Sequence, residues 1–178
     1  MSTSEKPQTG ENQDNPQAPQ GLPLVIHSQY IKDLSFESPN APQSMYTGQN
    51  APKMDIDINL DAAPIEHDKI ENFYEVQLIL NVTANRGQST VFIVELVYAA
   101  SVSLNNVPEN KHHPILLAQT PHFLFPYARQ IISDLVQQGG FPPLMLNPVN
   151  FRQMYLNRFG TAPTGDINEE VEETEKSA

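Results

Sequence analysis

An α+β fold built on one antiparallel sheet is what this 178-residue sequence predicts. Three observations carry that expectation. Four segments in the first hundred residues alternate between apolar and polar side chains with period two, the signature of half-buried strands. A bounded amphipathic helix follows them. The strands also come first and the helices last, an order that suits an antiparallel sheet better than alternating βα units.

The first strand segment, Val25 to Phe36, alternates in its later part. Tyr30, Lys32, Leu34 and Phe36 fall on one face and Ile31, Asp33, Ser35 and Glu37 on the other. After a proline-rich loop, Met54, Ile56, Ile58 and Leu60 alternate strictly with Asp55, Asp57, Asn59 and Asp61. In the third segment Tyr74, Val76, Leu78, Leu80 and Val82 alternate with Glu75, Gln77, Ile79, Asn81 and Thr83. Asn85-Arg86-Gly87-Gln88 then has the composition of a hairpin turn. The return strand turns Phe92, Val94, Leu96 and Tyr98 inward, and Ile93 and Glu95 outward.

Helical pieces follow. Pro114 to Gln119 reads as a short turn. Pro126 to Gln138 reads as the long helix: Pro126 suits a first helical position, and Ala128, Ile131, Ile132, Leu135 and Val136 recur at helical spacing. Gly139-Gly140 ends it. Asn150 is placed to cap a final helix carrying Phe151, Met154, Tyr155 and Phe159, which Gly160 closes. Between these helices Phe141, Leu144, Met145, Leu146 and Val149 sit on backbone broken by Pro142, Pro143 and Pro148, which forbids a regular helix or a central strand. One sheet and one long helix leave a face uncovered, and self-association is the simplest way to bury it.

Composition narrows the class. The chain has no Cys, which rules out disulfides and thiolate metal sites within it and suits a reducing compartment. No apolar run approaches the roughly 20 residues that span a bilayer. The first residues lack the basic and apolar regions of a secretory signal, so a cytoplasmic location is expected. The net charge of −11 falls heavily on the ends, with −2 in residues 1–23 and −5 in residues 164–178. Residues 1–23 and 161–178 read as disordered tails around a single domain, 24–160. An acidic chain without a Lys/Arg patch is a poor match for a phosphate backbone, so no nucleic-acid partner is expected.

Catalytic signatures are missing: there is no Cys nucleophile, GxSxG elbow, phosphate-cradling glycine loop or HExxH helix. His112-His113 beside Glu109 is the nearest approach to a metal cluster. Adjacent rings in a loop rarely share one ion, so a plain surface loop is the expectation, with no metal and no cofactor. The carboxylates of Asp55, Asp57 and Asp61 lie along one strand face, where successive positions come at steps of about 6–7 Å, too spread for a compact oxygen cage.

The runs FPYAR (Phe125 to Arg129), FPPLMLNPVNF (Phe141 to Phe151) and KDLSFESPNAP (Lys32 to Pro42) resemble the bacterial protein-export chaperone family SecB. The match runs from about Ile26 to about Phe159. The resemblance implies an ATP-independent holdase rather than an enzyme. Such a protein keeps unfolded secretory precursors translocation-competent and passes them to the SecA motor. It also implies a homotetramer, a dimer of dimers with the long helices packed between sheets, without membrane insertion.

By the same resemblance an acidic sheet surface docks SecA, and the matching positions are Asp33, Glu37, Ile93 and Glu95. Ile93 stands where Leu is more usual. A client-binding channel is expected from Ile58, Leu60, Phe141, Leu144, Met145, Leu146, Phe151 and Tyr155, with part of that set serving as core. Proline stiffens its loop, and the Met145 thioether adapts to varied side chains. Tyr155 stands where Phe is frequent. Two alternatives remain at this level: a SecB-like chaperone dedicated to a toxin–antitoxin pair, and a carrier of a small hydrophobic ligand.

Overall fold

The structure, a computed structural model, describes residues 23–46 and 50–160. The two tails expected at 1–23 and 161–178 lie almost wholly outside the described residues. Four strands, β1 (Leu24–Glu37), β2 (Lys53–Pro64), β3 (Phe73–Arg86) and β4 (Ser89–Leu104), form one sheet of order β1-β4-β3-β2, antiparallel at every pairing. The β3–β4 hairpin turns at Gly87, whose φ of 64° costs glycine little. β4 runs on past Tyr98 because Ala100, Val102 and Leu104 keep the apolar period with smaller side chains.

The long helix α1 (Thr120–Gln138) lies on one face of this sheet, and α2 (Phe151–Phe159) follows the proline-rich loop. The core fills the space beneath α1. Val76, Leu78, Leu80 and Val82 of β3, Val94, Leu96, Ala100 and Val102 of β4, and Leu124, Ala128, Ile132 and Val136 of α1 are all 0 % exposed. A helix is about 10 Å across with its side chains, whereas strands are spaced about 4.8 Å apart. One helix therefore covers the two central strands and leaves the edges short of cover. Ile31 and Leu34 on β1 and Ile56 on β2 are 47, 37 and 45 % exposed.

Two expectations need correction. The long helix does not begin at Pro126: it starts at Thr120 with Pro121 in its first turn, and Pro126 lies inside it. It is preceded by a 3-10 turn at Glu109–Lys111, a single turn at His112–Pro114 and a π turn at Ile115–Gln119. Pro126 is tolerated because it and His122, whose carbonyl loses its helical partner, are both on the exposed side. The alternation in β1 also breaks. Ile31 pairs with Tyr98 and Asp33 with Val97, leaving Lys32 as the extra residue of a bulge. Ile31 thus joins Leu34 and Phe36 on the helix-facing side, and Tyr30, opposite Ala99, joins Asp33, Ser35 and Glu37 on the outer side.

The end of α1 is fixed by two glycines with different duties. Gly140 takes φ 89°, and the Phe141 N–H reaches back to the Val136 carbonyl at 3.2 Å, closing the helix as a Schellman-type cap. Gly139 is helical, but the Phe36 ring lies against it, so that a Cβ there would stand 2.2 Å from Phe36 Cζ. Phe36 in turn stacks on Phe92, with centroids 5.9 Å apart. We predict that Gly139→Ala destabilises the fold by about 1–3 kcal/mol through overpacking. Urea unfolding at fixed protein concentration reads this, and an unchanged midpoint would contradict the close approach.

Candidate functional site

The outer sheet face, away from α1, gathers the residues expected to dock a partner. In the β1–β4 register Glu37 stands opposite Ile93, Ser35 opposite Glu95 and Asp33 opposite Val97. Directly opposed side chains sit roughly 4.5–5.5 Å apart at Cβ, so the four positions form one contiguous patch. Asp33, Glu37 and Glu95 are exposed, while Ile93, Val97 and neighbouring Ile79 of β3 are half-buried. Three carboxylates therefore surround a low aliphatic strip. β2 extends the acidic field with Asp55, Asp57 and Asp61. Lys53, 3.0 Å from Asp55, holds that carboxyl below its usual range by hydrogen bond and charge.

Next to this patch lies a network absent from the expectations above. Glu75 of β3 accepts hydrogen bonds from the Tyr30 hydroxyl, from Lys32 Nζ at 2.5 Å and from Gln77 Nε2 at 2.6 Å. Tyr30 and Lys32 belong to β1, so they reach over the whole of β4 to meet it. The crossing is open because β4 carries Ala99 and Ser101 at that level, opposite Tyr30 and Ser28. The Lys32 and Tyr30 hydrogen bonds lower the Glu75 pKa, and desolvation only partly opposes them. The Tyr30 phenol is pushed up to about 12, first by burial and then by the Glu75 carboxylate. The bulge hides this trio in sequence, because strict alternation puts Tyr30 and Lys32 on the other face.

The expected client channel resolves into two ends. At one, Ile58 and Leu60 of β2 and Tyr155 of α2 line a cleft of about 140 Å³ with Leu117, Met154 and Phe159. Arg158 stacks over Phe159 at 5.3 Å. At the other, Phe141 packs on Phe92 with centroids 5.0 Å apart, near Phe36. Between them Met145 is 58 % exposed and touches the Ser133 hydroxyl at 3.5 Å, and Leu144 is half-buried. Leu146 and Phe151 are core, 3 and 0 % exposed. Phe151 meets Phe125 and His122 edge-on at 5.6 and 5.3 Å. These two residues form the floor of the region, not its surface. Phe159 was legible as the i+4 neighbour of Tyr155; Leu117 was not, since it precedes the helix that the sequence suggested.

The paired histidines behave differently from a surface loop. His112 is buried, with Nε2 2.9 Å from the Val107 carbonyl and Nδ1 3.0 Å from the Tyr74 hydroxyl. The carbonyl can only accept, so Nε2 donates to it and, in the neutral ring, Tyr74 donates to Nδ1. Exposed His113 places Nδ1 2.8 Å from the Tyr155 hydroxyl. The two rings thus serve different partners, one on the sheet and one on α2, and the Tyr155 hydroxyl enters the cleft already bonded.

A family profile described as preprotein translocase subunit SecB matches residues 15–162. A protein-export protein SecB of Novosphingobium aromaticivorans is 45 % identical over 139 residues, 78 % of this chain and 78 % of that one. One from Maricaulis maris is 40 % identical over 169 residues, covering 93 % of this chain and 94 % of the relative. In fold, a SecB-like chaperone of Mycobacterium tuberculosis, solved with a peptide from an antitoxin, superposes with a TM-score of 0.57 at 16 % identity. That match covers 71 % of this chain and 90 % of the other.

A carboxyl whose pKa is lowered by folding contributes stability above its ordinary value and loses it as pH falls through the depressed one. We predict that carbon NMR titration shows Glu75 ionising below the usual carboxylate range, and that Lys32→Met returns it toward that range. An unshifted Glu75 in the unmodified chain would refute the network.

Proposed function

The chain belongs to the SecB family of protein-export chaperones, and on that premise we propose how its two surfaces divide the work. It holds unfolded precursors by contact alone, with no covalent step and no nucleotide. The stiff apolar segment and the β2–α2 cleft grip extended client, and the acidic outer sheet face meets the SecA motor. The observation that carries this reading is the β1–β4 register, which sets Glu37 opposite Ile93 and Glu95 opposite Ser35 on the face away from the client side.

Several features support the client side. Prolines 142, 143 and 148 fix the loop backbone before any client arrives, so binding loses less entropy to ordering. The exposed Met145 adapts to varied side chains. A cleft of about 140 Å³ is well below the roughly 300–1,000 Å³ of ordinary small-ligand pockets, which favours side chains of a polypeptide over an enclosed hydrophobe.

Self-association follows from the uncovered edges. Ile31 and Leu34 of β1 and Phe123 and Tyr127 of α1 are all exposed, the last two at 53 and 56 %, and Tyr127 stacks at 6.4 Å on Tyr98, the β4 partner of Ile31. A second copy is the natural cover, and a dimer of dimers lets one long client occupy several weak sites at once in the cytoplasm.

On the docking side, rim carboxylates around a half-buried aliphatic strip suit a small basic module, with charge mainly raising the on-rate. The double reversal Glu37→Lys and Glu95→Lys is expected to abolish SecA binding in calorimetric titration while leaving the fold intact. Undiminished binding by that variant would refute the assignment.

A further inference from the structure

The docking face depends on a bulge that nothing on the face itself explains. Lys32 is unpaired between the Ile31–Tyr98 and Asp33–Val97 pairs. Were it to enter the ladder, Asp33, Ser35 and Glu37 would rotate toward the helix and Leu34 and Phe36 toward solvent. Phe36 is held inward by Phe92 and by its close approach to Gly139. Strain from any slip therefore concentrates at the bulge, on a strand bonded, among the described residues, to β4 alone. At that point three donors converge on one carboxylate: Tyr30 just before the bulge, Lys32 within it, and Gln77 beside Glu75 on β3.

The geometry points to Glu75 as a positioning residue for partner docking: by clamping Tyr30 and Lys32 across β4 it holds the bulge that sets Asp33 and Glu37 outward. This rests on the docking reading above and extends it, since Glu75 itself lies beyond the patch and its charge is engaged by Lys32. The clamp needs small side chains on the intervening strand, which Ala99 and Ser101 supply. It also gives the lone cation in the KDLSFE segment a duty: Lys32 is a strand fastener.

The test sets the clamp against bulk charge. Purified SecA is titrated against the full-length chain and its Lys32→Glu, Glu75→Lys and Lys32→Glu/Glu75→Lys variants, with backbone hydrogen exchange of Tyr30 to Ser35 followed in each. If Glu75 acted only as one more surface acid, Lys32→Glu would tighten binding to a basic partner. The clamp predicts the reverse: Lys32→Glu and Glu75→Lys each weaken SecA about tenfold and speed β1 exchange, and the swap returns within about threefold of the unmodified chain. Binding by Lys32→Glu as tight as or tighter than the unmodified chain overturns the proposal. If the unmodified chain itself fails to bind SecA, the docking reading falls, and exchange alone decides the clamp. Faster β1 exchange in Lys32→Glu that the swap reverses then supports it, and unchanged exchange overturns it.

Discussion

Everything in this fold follows from a mismatch of widths: four strands make a sheet that a single helix cannot cover. α1 seals β3 and β4, where the inner-face side chains are fully buried, and stops short of the two edges. What remains apolar at those edges is disposed differently on the two sides. On the β2 side, Ile58 and Leu60 meet α2 and leave a small cleft. On the β1 side, Ile31, Leu34 and Tyr127 stay exposed, with Tyr127 stacked on the buried Tyr98.

The other face obeys different physics. An antiparallel sheet tolerates water on one side, so its outer residues are free to be chosen for charge. Strand pairing, not chain proximity, brings Asp33 and Glu37 beside Ile93 and Glu95, which are about sixty residues away in sequence. Because the two faces alternate residue by residue through this part of β4, the same backbone that buries Val94 and Leu96 presents Ile93 and Glu95. The faces are mechanically joined and chemically independent.

Much of this was legible beforehand, and the failures have particular causes. Strict alternation from Met54 to Leu60 located β2, and Asn150 does cap α2, accepting from the Gln153 N–H at 2.9 Å. Asp33, Glu37, Ile93 and Glu95 do share the outer face, because the period-two pattern that places Asp33 and Glu37 holds beyond the bulge. Tyr30 and Lys32 were misplaced because a period-two reading assumes no inserted residue, and a bulge leaves no mark that single-residue propensity detects. Pro126 misled because proline at a helix start is the common case; the apolar stripe through Leu117, Leu124 and Phe125 was the better guide. His112 looks like a surface residue in the sequence because its partners, Tyr74 and the Val107 carbonyl, are set by the tertiary fold. Of the expected channel, Leu146 and Phe151 turned inward, since an irregular loop offers no periodicity from which to tell floor from surface.

The independence of the two faces is the claim most open to direct measurement. Sedimentation velocity of a labelled, slow-folding precursor, kept unfolded, with the unmodified chain and with the Glu37→Lys/Glu95→Lys variant addresses it. The precursor should co-sediment with a species of about four protomers in both cases and with equal affinity, and the folded precursor with neither. Loss of client binding in the variant, or a client-free single subunit from the unmodified chain, would contradict the account.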